Sequence, residues 1–417
     1  MQRGVIYCRS TITISIIVLG ILLLTKCVNK GKKEIEEIAP KQYAGSATCM
    51  ECHKDIYDSH VSTAHYLTSQ PSSREHIKGS FEPGSNSFSF SPFVKVTMEE
   101  RGDSFYQVEY MNGMEKRKQR FDITVGSGKV GQTYLYWIKN RLVQLPITYF
   151  TPAKQWSNSP GYPGKVVYNR PITSRCLECH STWFKKTSEE LKEPEEFSHA
   201  NIIYGVDCEK CHGPAAKHVA FQTNNPVEKQ AKYIINPASL SREQKLDMCA
   251  LCHGGRLAKT KPSFSFEAGD KLSEYFSIDT LNPNAASIDV HGNQYGLLRV
   301  SKCFIQSDMT CNSCHDPHKN ETSKKEVFSQ RCMTCHSDGH YNICKMTATI
   351  GPSITQNCID CHMPEQKSMA IVVLLQGASA PIPATMRSHY ISVYAGETNK
   401  VMSELKKVNE NNKAERK

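Results

Sequence analysis

The pattern of apolar and polar positions is most regular between residues 81 and 165. Apolar side chains alternate there with polar ones in short runs, one of them around Val108 and another around Tyr136. Alternation with a period of two is typical of half-buried β-strands. The pair Asn112-Gly113 lies between two such runs and is a strong hairpin signal, because both residue types tolerate positive φ. We therefore predict a small β-rich module, inserted into or docked on the rest of the chain.

A different pattern marks the N-terminus, where residues 10–25 carry no charge and are mostly apolar. As a helix they would reach about 24 Å, less than the roughly 30 Å hydrocarbon core of a bilayer. Residues 1–26 are therefore predicted to be a signal peptide or a membrane anchor. Cys27 is a lipidation candidate followed by a polar linker at 27–42, although Lys26 stands where lipoprotein signals carry a small residue. A lipid anchor, an uncleaved anchor and a plain cleaved signal all stay open.

The strongest chemical signal is the pentapeptide Cys-x-x-Cys-His, which occurs seven times. It is the attachment signature of c-type haem. Two cysteines three apart lie on one face of a helical turn and can bond to both vinyl groups of one porphyrin, while the histidine ligates the iron. The predicted attachment residues are Cys49, Cys52, Cys176, Cys179, Cys208, Cys211, Cys249, Cys252, Cys311, Cys314, Cys332, Cys335, Cys358 and Cys361. The predicted proximal iron ligands are His53, His180, His212, His253, His315, His336 and His362.

The histidine in each motif excludes the other common uses of paired cysteines. Zinc ribbons and redox dithiols also contain Cys-x-x-Cys, but neither needs a histidine directly after every pair. The chain is therefore predicted to carry seven covalently attached haem c groups, each with its iron. Because covalent haem attachment takes place outside the bacterial inner membrane, this cofactor agrees with an exported protein.

The spacing of the motifs decides the predicted architecture. One motif lies in a first haem segment at residues 43–80, and the other six lie in residues 166–395, with first cysteines 21 to 62 residues apart. These intervals are too short for separate domains. We therefore expect a mainly α-helical or irregular multihaem c-type cytochrome lobe with a haem-packed core, to which the β-rich module is added. Residues 396–417 are predicted to be a polar C-terminal tail.

The axial positions opposite the proximal histidines require further ligands. Nine histidines lie outside the motifs, which suffices for two imidazoles on each of seven irons. A haem with two imidazole ligands is low-spin and has no open coordination site. The candidate distal ligands are His65, His199, His218, His291, His318, His340 and His389, whereas a surface role is favoured for His60 and His76.

Net charge and the remaining cysteines change this picture little. The formal net charge is +10, but the propionates of seven haems would more than offset it, so we expect no nucleic-acid partner.

Beyond the N-terminal segment, Cys303 and Cys344 lie outside the motifs. In an oxidising compartment they would form a disulfide or stay as two free thiols, and the sequence leaves both alternatives open.

The motifs and their surroundings resemble those of a multihaem cytochrome superfamily that contains hydroxylamine oxidoreductase, pentahaem nitrite reductase and the tetrahaem cytochromes of nitrifying bacteria. The likeness is carried by Tyr43 to His65, Gly205 to His218, Cys311 to His318 and Cys358 to Pro364. It implies that His65, His218 and His318 are distal ligands, frequently of a haem other than the nearest one. The catalytic Cys-x-x-Cys-Lys of the nitrite reductases does not occur in this sequence, and no tyrosine can be nominated for the cross-link of the hydroxylamine oxidoreductases.

These features favour an exported seven-haem cytochrome that transfers electrons between respiratory partners in the periplasm or at the membrane. The expected partners are a quinol-linked donor or periplasmic carrier and a downstream reductase or outer-membrane acceptor, with a membrane tether. One alternative is a multihaem oxidoreductase that acts on a small nitrogen or sulfur compound at a five-coordinate haem, with His60 or His76 as acid or base. Another is an assembly subunit that docks a partner through the β-rich module.

Overall fold

The computed structural model describes residues 42–162, 164–189, 192–278, 285–321, 323–337 and 344–414. Residues 44–417 belong to one compact unit. The predictions for residues 1–26, for Cys27 and for His340 lie outside the described residues. Within the described ranges, none of the helices combines the length and the apolar character that crossing a bilayer requires.

Short helices and strands alternate through the described chain. The α-helices are α1 (Ser46–Met50), α2 (Lys54–His60), α3 (Ser174–His180), α4 (Cys208–His212), α5 (Ala216–Asn224), α6 (Arg242–His253), α7 (Gln294–Arg299), α8 (Lys302–Ile305), α9 (Lys325–Met333), α10 (Thr347–Ile350), α11 (Cys358–His362) and α12 (Ala395–Ala414). The strands are β1 (Ser69–Pro71), β2 (Ser87–Ser89), β3 (Val94–Arg101), β4 (Ser104–Met111), β5 (Met114–Arg120), β6 (Ile123–Val125), β7 (Gly131–Ile138), β8 (Arg141–Gln144), β9 (Ile147–Phe150), β10 (Gln155–Asn158), β11 (Arg170–Pro171), β12 (Ser181–Lys186), β13 (Phe197–Tyr204), β14 (Leu257–Lys259), β15 (Phe276–Ile278), β16 (Glu365–Val373) and β17 (Ile382–Arg387).

Two antiparallel sheets occupy the region where alternation predicts strands. One has the order β2-β3-β4-β5, and the other joins β1, β6, β7, β8 and β11, with β9 and β10 added beside β7. The predicted hairpin is present: Asn112 and Gly113 adopt φ of 51° and 78° between β4 and β5. Positive φ at both turn residues matches the right-handed twist of the strands they connect.

The seven-stranded sheet extends beyond residues 81–165 at both ends. Before the module, Ser69 in β1 pairs with Val125 in β6. After the module, Arg170 in β11 pairs with Gln144 in β8. The strands that flank the module are therefore part of its sheet, and they connect it to the first and second motif segments.

Trp156 lies at the centre of the largest apolar cluster. Its side chain is 2% exposed and packs with Phe81, Phe121 and Tyr134 between the two sheets. The indole Nε1 donates a hydrogen bond to the Ser80 carbonyl at 2.7 Å. A Cβ at residue 79 would stand 2.0 Å from the indole ring, so only glycine fits there. Aromatic packing of this density gives the β-rich region a conventional hydrophobic core.

The part of the chain that carries most motifs contains more strand than the sequence analysis predicts. Three hairpins, β12–β13, β14–β15 and β16–β17, lie among its short helices, so helices and strands contribute about equally to the whole fold. The expectation of a mainly α-helical or irregular lobe is corrected in this respect. The physical reason is packing: Phe184 and Phe197 of the first hairpin bury their rings against Leu135 and Leu142 of the large sheet.

Candidate haem-binding site

The Cys-x-x-Cys-His motifs lie on single helical turns. The second, third and seventh motifs fall within α3, α4 and α11, the fourth ends α6, and the fifth begins a 3₁₀ turn at Cys311–Ser313. Asp207 caps α4 by accepting a hydrogen bond from the Cys208 N–H at 2.7 Å. Gly213, with φ of 73°, follows the helix and ends it at the histidine. Each local sequence thus supplies the turn that haem attachment requires.

Motifs that are distant in sequence pack against one another. Helix α1 of the first motif contacts α4 of the third, and α3 of the second contacts α6 of the fourth. Helix α6 also contacts the turn of the fifth motif, and α9 of the sixth contacts α11 of the seventh. The fifth and sixth motifs are joined by Arg331, which donates to the Cys314 carbonyl at 2.5 Å. Helix α4 also contacts β12, the strand that directly follows the second motif, and this contact joins the first and third motifs to the other five.

Thiols of different motifs are close enough at four of these junctions to influence each other's pKa. The interaction with Cys252 lowers the pKa of Cys179 to about 7, and the same interaction raises the pKa of Cys252. The four pairs are Cys49 with Cys208, Cys179 with Cys252, Cys249 with Cys311, and Cys332 with Cys358. The sites of attachment of neighbouring porphyrins are therefore adjacent.

Three proximal histidines face a second histidine from another segment. The ring centres of His212 and His318 are 6.1 Å apart. Those of His65 and His253 are 6.2 Å apart, and those of His315 and His389 are also 6.2 Å apart. Two metal–imidazole bonds of about 2 Å, with about 1 Å from each nitrogen to its ring centre, place two ring centres about 6 Å apart. All three pairs match this spacing. His60 also lies 6.2 Å from His318, so the spacing alone does not decide the partner of His318.

Hydrogen bonds to Nδ1 decide which nitrogen of several rings is free. A carbonyl oxygen only accepts, so Nδ1 of His212 donates to Ile235 at 3.0 Å, and Nδ1 of His389 donates to Arg387 at 3.3 Å. The remaining Nε2 then carries the lone pair that a metal needs. Nδ1 of His253 lies 3.1 Å from the Gln294 amide oxygen, and Nδ1 of His318 lies 3.5 Å from the Asp316 carboxylate. None of these partners is predicted by the sequence analysis, although Asp316 stands two residues before His318 in the motif Cys314-His315-Asp316-Pro317-His318.

Burial keeps these imidazoles neutral. It lowers the pKa of His65, His180 and His389 to about 4. Burial also lowers the pKa of His212, His253 and His315. Only the neutral ring can ligate iron, so desolvation favours the state that binds the cofactor.

A fourth association involves the second motif. Nδ1 of His180 lies 3.0 Å from the Thr68 hydroxyl. After burial, the charge of His291 is the next cause that lowers the pKa of His180. Nδ1 of His291 lies 3.4 Å from the Met386 sulfur. His291 stays a candidate distal ligand.

Other histidines lie in different surroundings. His199 stacks on Trp137 at 3.8 Å, and its Nε2 bonds to the Lys139 carbonyl at 2.8 Å, so this nitrogen is not available to a metal. Both ring nitrogens of His60 lie near backbone carbonyls, of Val206 and Pro317. Nδ1 of His218 donates to the Lys232 carbonyl at 2.9 Å, which leaves its Nε2 free.

Two further expectations concern His76 and the cysteines outside the motifs. Nδ1 of His76 bonds to the Pro71 carbonyl at 3.0 Å near the protein surface. Cys303 and Cys344 are both free thiols, so the structure contains no disulfide between them. Across the described part of the chain, no group of three or more His, Cys, Asp or Glu forms a metal site. Haem iron needs only two protein ligands, so a search for larger groups does not bear on it.

The comparisons with known proteins agree with this geometry. Residues 163–213, which include the second and third motifs, match the family model for cytochrome c554 and c-prime. The chain is 27% identical over 209 residues to the multihaem cytochrome MtrA of Shewanella baltica, a match that covers 47% of this chain and 54% of that protein. It therefore spans about half the length of this curated relative. The chain is a multihaem c-type cytochrome.

The fold of this multihaem cytochrome is also similar to a solved structure. The crystal structure of the outer cell wall cytochrome OcwA aligns with a TM-score of 0.51 at 14% sequence identity. The alignment covers 86% of this chain and 81% of that one. It supports a shared fold that includes most of the described elements.

Proposed function

We propose that this cytochrome is an exported electron-transfer protein with seven haem c groups. The observation that carries the proposal is the connected set of motif turns, in which helices of different motifs contact one another. Haem c takes up and releases single electrons at its iron. The packing of the polypeptide would hold neighbouring groups close enough for electrons to pass from one motif to the next.

The paired histidines favour electron transfer over catalysis. His65, His318 and His389 each lie opposite a proximal histidine, and the charge of His291 acts on a fourth, His180. Two imidazoles fill both axial positions and leave no site for a substrate. We propose these four residues as distal ligands, with His218 as a further candidate because its Nε2 is free. The contacts of His199 count against the same role for that residue.

The location and the partners are also part of the proposal. The apolar N-terminal pattern and Cys27 support export to the periplasmic side with a lipoprotein or N-terminal anchor. The partners would be a quinol-linked donor or periplasmic carrier and a downstream reductase or outer-membrane acceptor. The match to the cytochrome c554 and c-prime family model supports membership of the superfamily that includes the nitrifier cytochromes.

Electron paramagnetic resonance of the oxidised holoprotein, with haem counted in the same sample, tests the proposal. We expect seven haems per chain and only low-spin signals. A high-spin signal of about one haem equivalent would overturn the electron-transfer assignment. It would support a multihaem oxidoreductase acting on a small nitrogen or sulfur compound. A different haem count would overturn the assignment of all seven motifs.

Rapid-mixing kinetics then measure the function itself. Holoprotein reduced by dithionite should be reoxidised by a soluble one-electron acceptor in several phases, with every haem participating. A fraction of haem that stays reduced would contradict the connected pathway.

Replacement of Cys27 by serine should move the protein from the membrane fraction to the soluble fraction if this cysteine carries the anchor, and leave it in place otherwise.

A further inference from the structure

Three of the variable positions inside the Cys-x-x-Cys-His motifs carry acidic side chains that connect one motif to another. They are Glu178 in the second motif, Glu209 in the third and Asp360 in the seventh. A fourth acidic residue, Glu51 in the first motif, is exposed. The variable positions of a haem motif need no particular side chain for attachment, so buried acids there point to another role.

Glu209 is 5% exposed and accepts hydrogen bonds only from the backbone. Its Oε1 accepts from the N–H of Ala44 at 2.8 Å and from the N–H of Ala215 at 2.7 Å. Its Oε2 accepts from the N–H of Gly45 at 2.9 Å. Gly45 is the N-cap residue of the first-motif helix α1. One side chain therefore fixes the start of the first motif to the third motif.

The other two acids make comparable connections through cations. Glu178 pairs with Arg175 at 2.9 Å, and Arg175 donates to the Leu251 carbonyl inside the fourth motif at 2.8 Å. Asp360 pairs with Lys325 of the sixth-motif helix at 2.7 Å and with Arg387 at 2.8 Å. In both cases a Lys or Arg side chain neutralises the carboxylate.

Glu209 differs from these two acids in its charge balance. Its hydrogen bonds in the described structure all come from N–H groups of the main chain, and no ion pair of a described cation reaches it. A buried charge acts through a low effective dielectric constant and is weakly screened by salt. A negative charge beside an iron centre stabilises the ferric state, which carries one more positive charge than the ferrous state.

We propose that Glu209 is a positioning residue that fixes the first motif to the third and whose uncompensated charge lowers the reduction potentials of the haems attached there. This inference deepens the proposed function and rests on haem attachment at those two motifs. In this role the residue needs no contact with iron or porphyrin. It acts through the backbone that it holds and through its charge.

The test replaces the charge while preserving most of the geometry. Glu209→Gln keeps an Oε1 acceptor for Ala44 and Ala215, replaces the Oε2 acceptor for the Gly45 N–H by an amide donor, and removes the negative charge. Glu51→Gln is the matched control, because it makes the same chemical change inside a motif at an exposed position. Reductive titration of each holoprotein is followed in the visible haem bands, with haem counted in the same sample. The number of haems per chain shows whether haem is attached, so a loss of haem is not mistaken for an effect of the charge.

We expect one or two of the haem transitions in Glu209→Gln to move to more positive potential. A change of about tenfold in the ratio of oxidised to reduced haem at fixed potential equals 59 mV for a one-electron couple. Glu51→Gln should leave the titration curve unchanged, and Glu209→Asp, which keeps the charge, should stay near the unaltered protein. No shift in Glu209→Gln, or an equal shift in both glutamine variants, would overturn the role of the charge.

Hydrogen exchange of the unaltered protein tests the positioning role without any substitution. The amides of Ala44 and Gly45 precede α1 and have no helical acceptor, so their protection depends on Glu209. We expect both amides to exchange more slowly than the exposed amides around Glu51. Fast exchange at both positions would overturn the connection between the two motifs.

Discussion

The β-rich region and the motif-bearing region of this cytochrome are stabilised by different means. Between the two sheets, Trp156, Tyr134 and Phe121 form a continuous aromatic core that needs no cofactor. Around the motifs, the apolar clusters are smaller, such as the one of Leu246, Leu298 and Phe304. The histidines and thiols of the motifs lie around these clusters, most of them half-buried or exposed. One region therefore obtains its core from side chains, whereas we propose that haem completes the core of the other.

The largest expected effect follows from withholding haem from the full chain. Expression without haem attachment should leave the motif-bearing region open, because buried imidazoles and thiols lose the porphyrin faces that they would pack against. The β-rich region from Ser69 to Pro171 should stay folded. Limited proteolysis with mass spectrometry measures this difference. Equal protection of both regions, or loss of both, would contradict the comparison.

The converse change is made in the aromatic core. Trp156→Ala removes a side chain that is 2% exposed and should reduce the free energy of unfolding. Truncation of a buried Trp costs about 3–5 kcal/mol. Chemical denaturation followed by circular dichroism gives this value, while the visible haem spectrum should stay unchanged. A spectrum typical of altered haem ligation would show that the two regions are not separable in this way.

A smaller and local effect is expected from the proposed distal ligands. His389→Ala removes the ring opposite His315 and should convert about one haem to the high-spin state. His199→Ala is the control, because that ring stacks on Trp137 and bonds to a carbonyl. Electron paramagnetic resonance of both variants measures the amount of high-spin haem and so shows which of the two histidines is an iron ligand. A high-spin signal in the control, or none in His389→Ala, would reverse the two assignments.

The smallest effect concerns acid. Burial lowers the pKa of His65, His180 and His389 to about 4, whereas an unfolded histidine titrates near 6.5. Between these values the unfolded chain binds more protons than the folded chain, so the free energy of unfolding falls as the pH drops from 6.5 to 4. The low-spin haem spectrum should nevertheless persist until about pH 4. Loss of that spectrum near pH 6 would contradict the burial of these rings.

Local sequence was sufficient for features that depend on neighbouring residues. The Asn112-Gly113 turn appears as predicted because its conformation follows from the two residues themselves. The helical turns of the motifs also follow from local spacing. The hairpin β12–β13 was not predicted, since the alternation in β12 is broken by a bulge near Trp183 and its burial depends on the large sheet. Whether such a segment forms a strand depends on the residues that pack against it.

The histidines show the same division. His199 and His389 had equal standing as candidate ligands, and nothing in their immediate neighbours separates them. In the fold, one ring stacks on Trp137, while the other faces His315 at 6.2 Å. Some of the partners that fix the rings, such as Ile235 for His212 and Arg387 for His389, contribute backbone carbonyls. A backbone acceptor leaves no signature in side-chain sequence.

The sequence by itself determined that this protein is built to attach haem c and where each attachment turn lies, because covalent attachment depends on residues within five positions of one another. Only the tertiary structure decided which motifs touch and which histidines face each other. Those pairings, such as His65 with His253, join segments that the chain brings together from far apart. Their geometry follows from the packing of the helices and sheets between them.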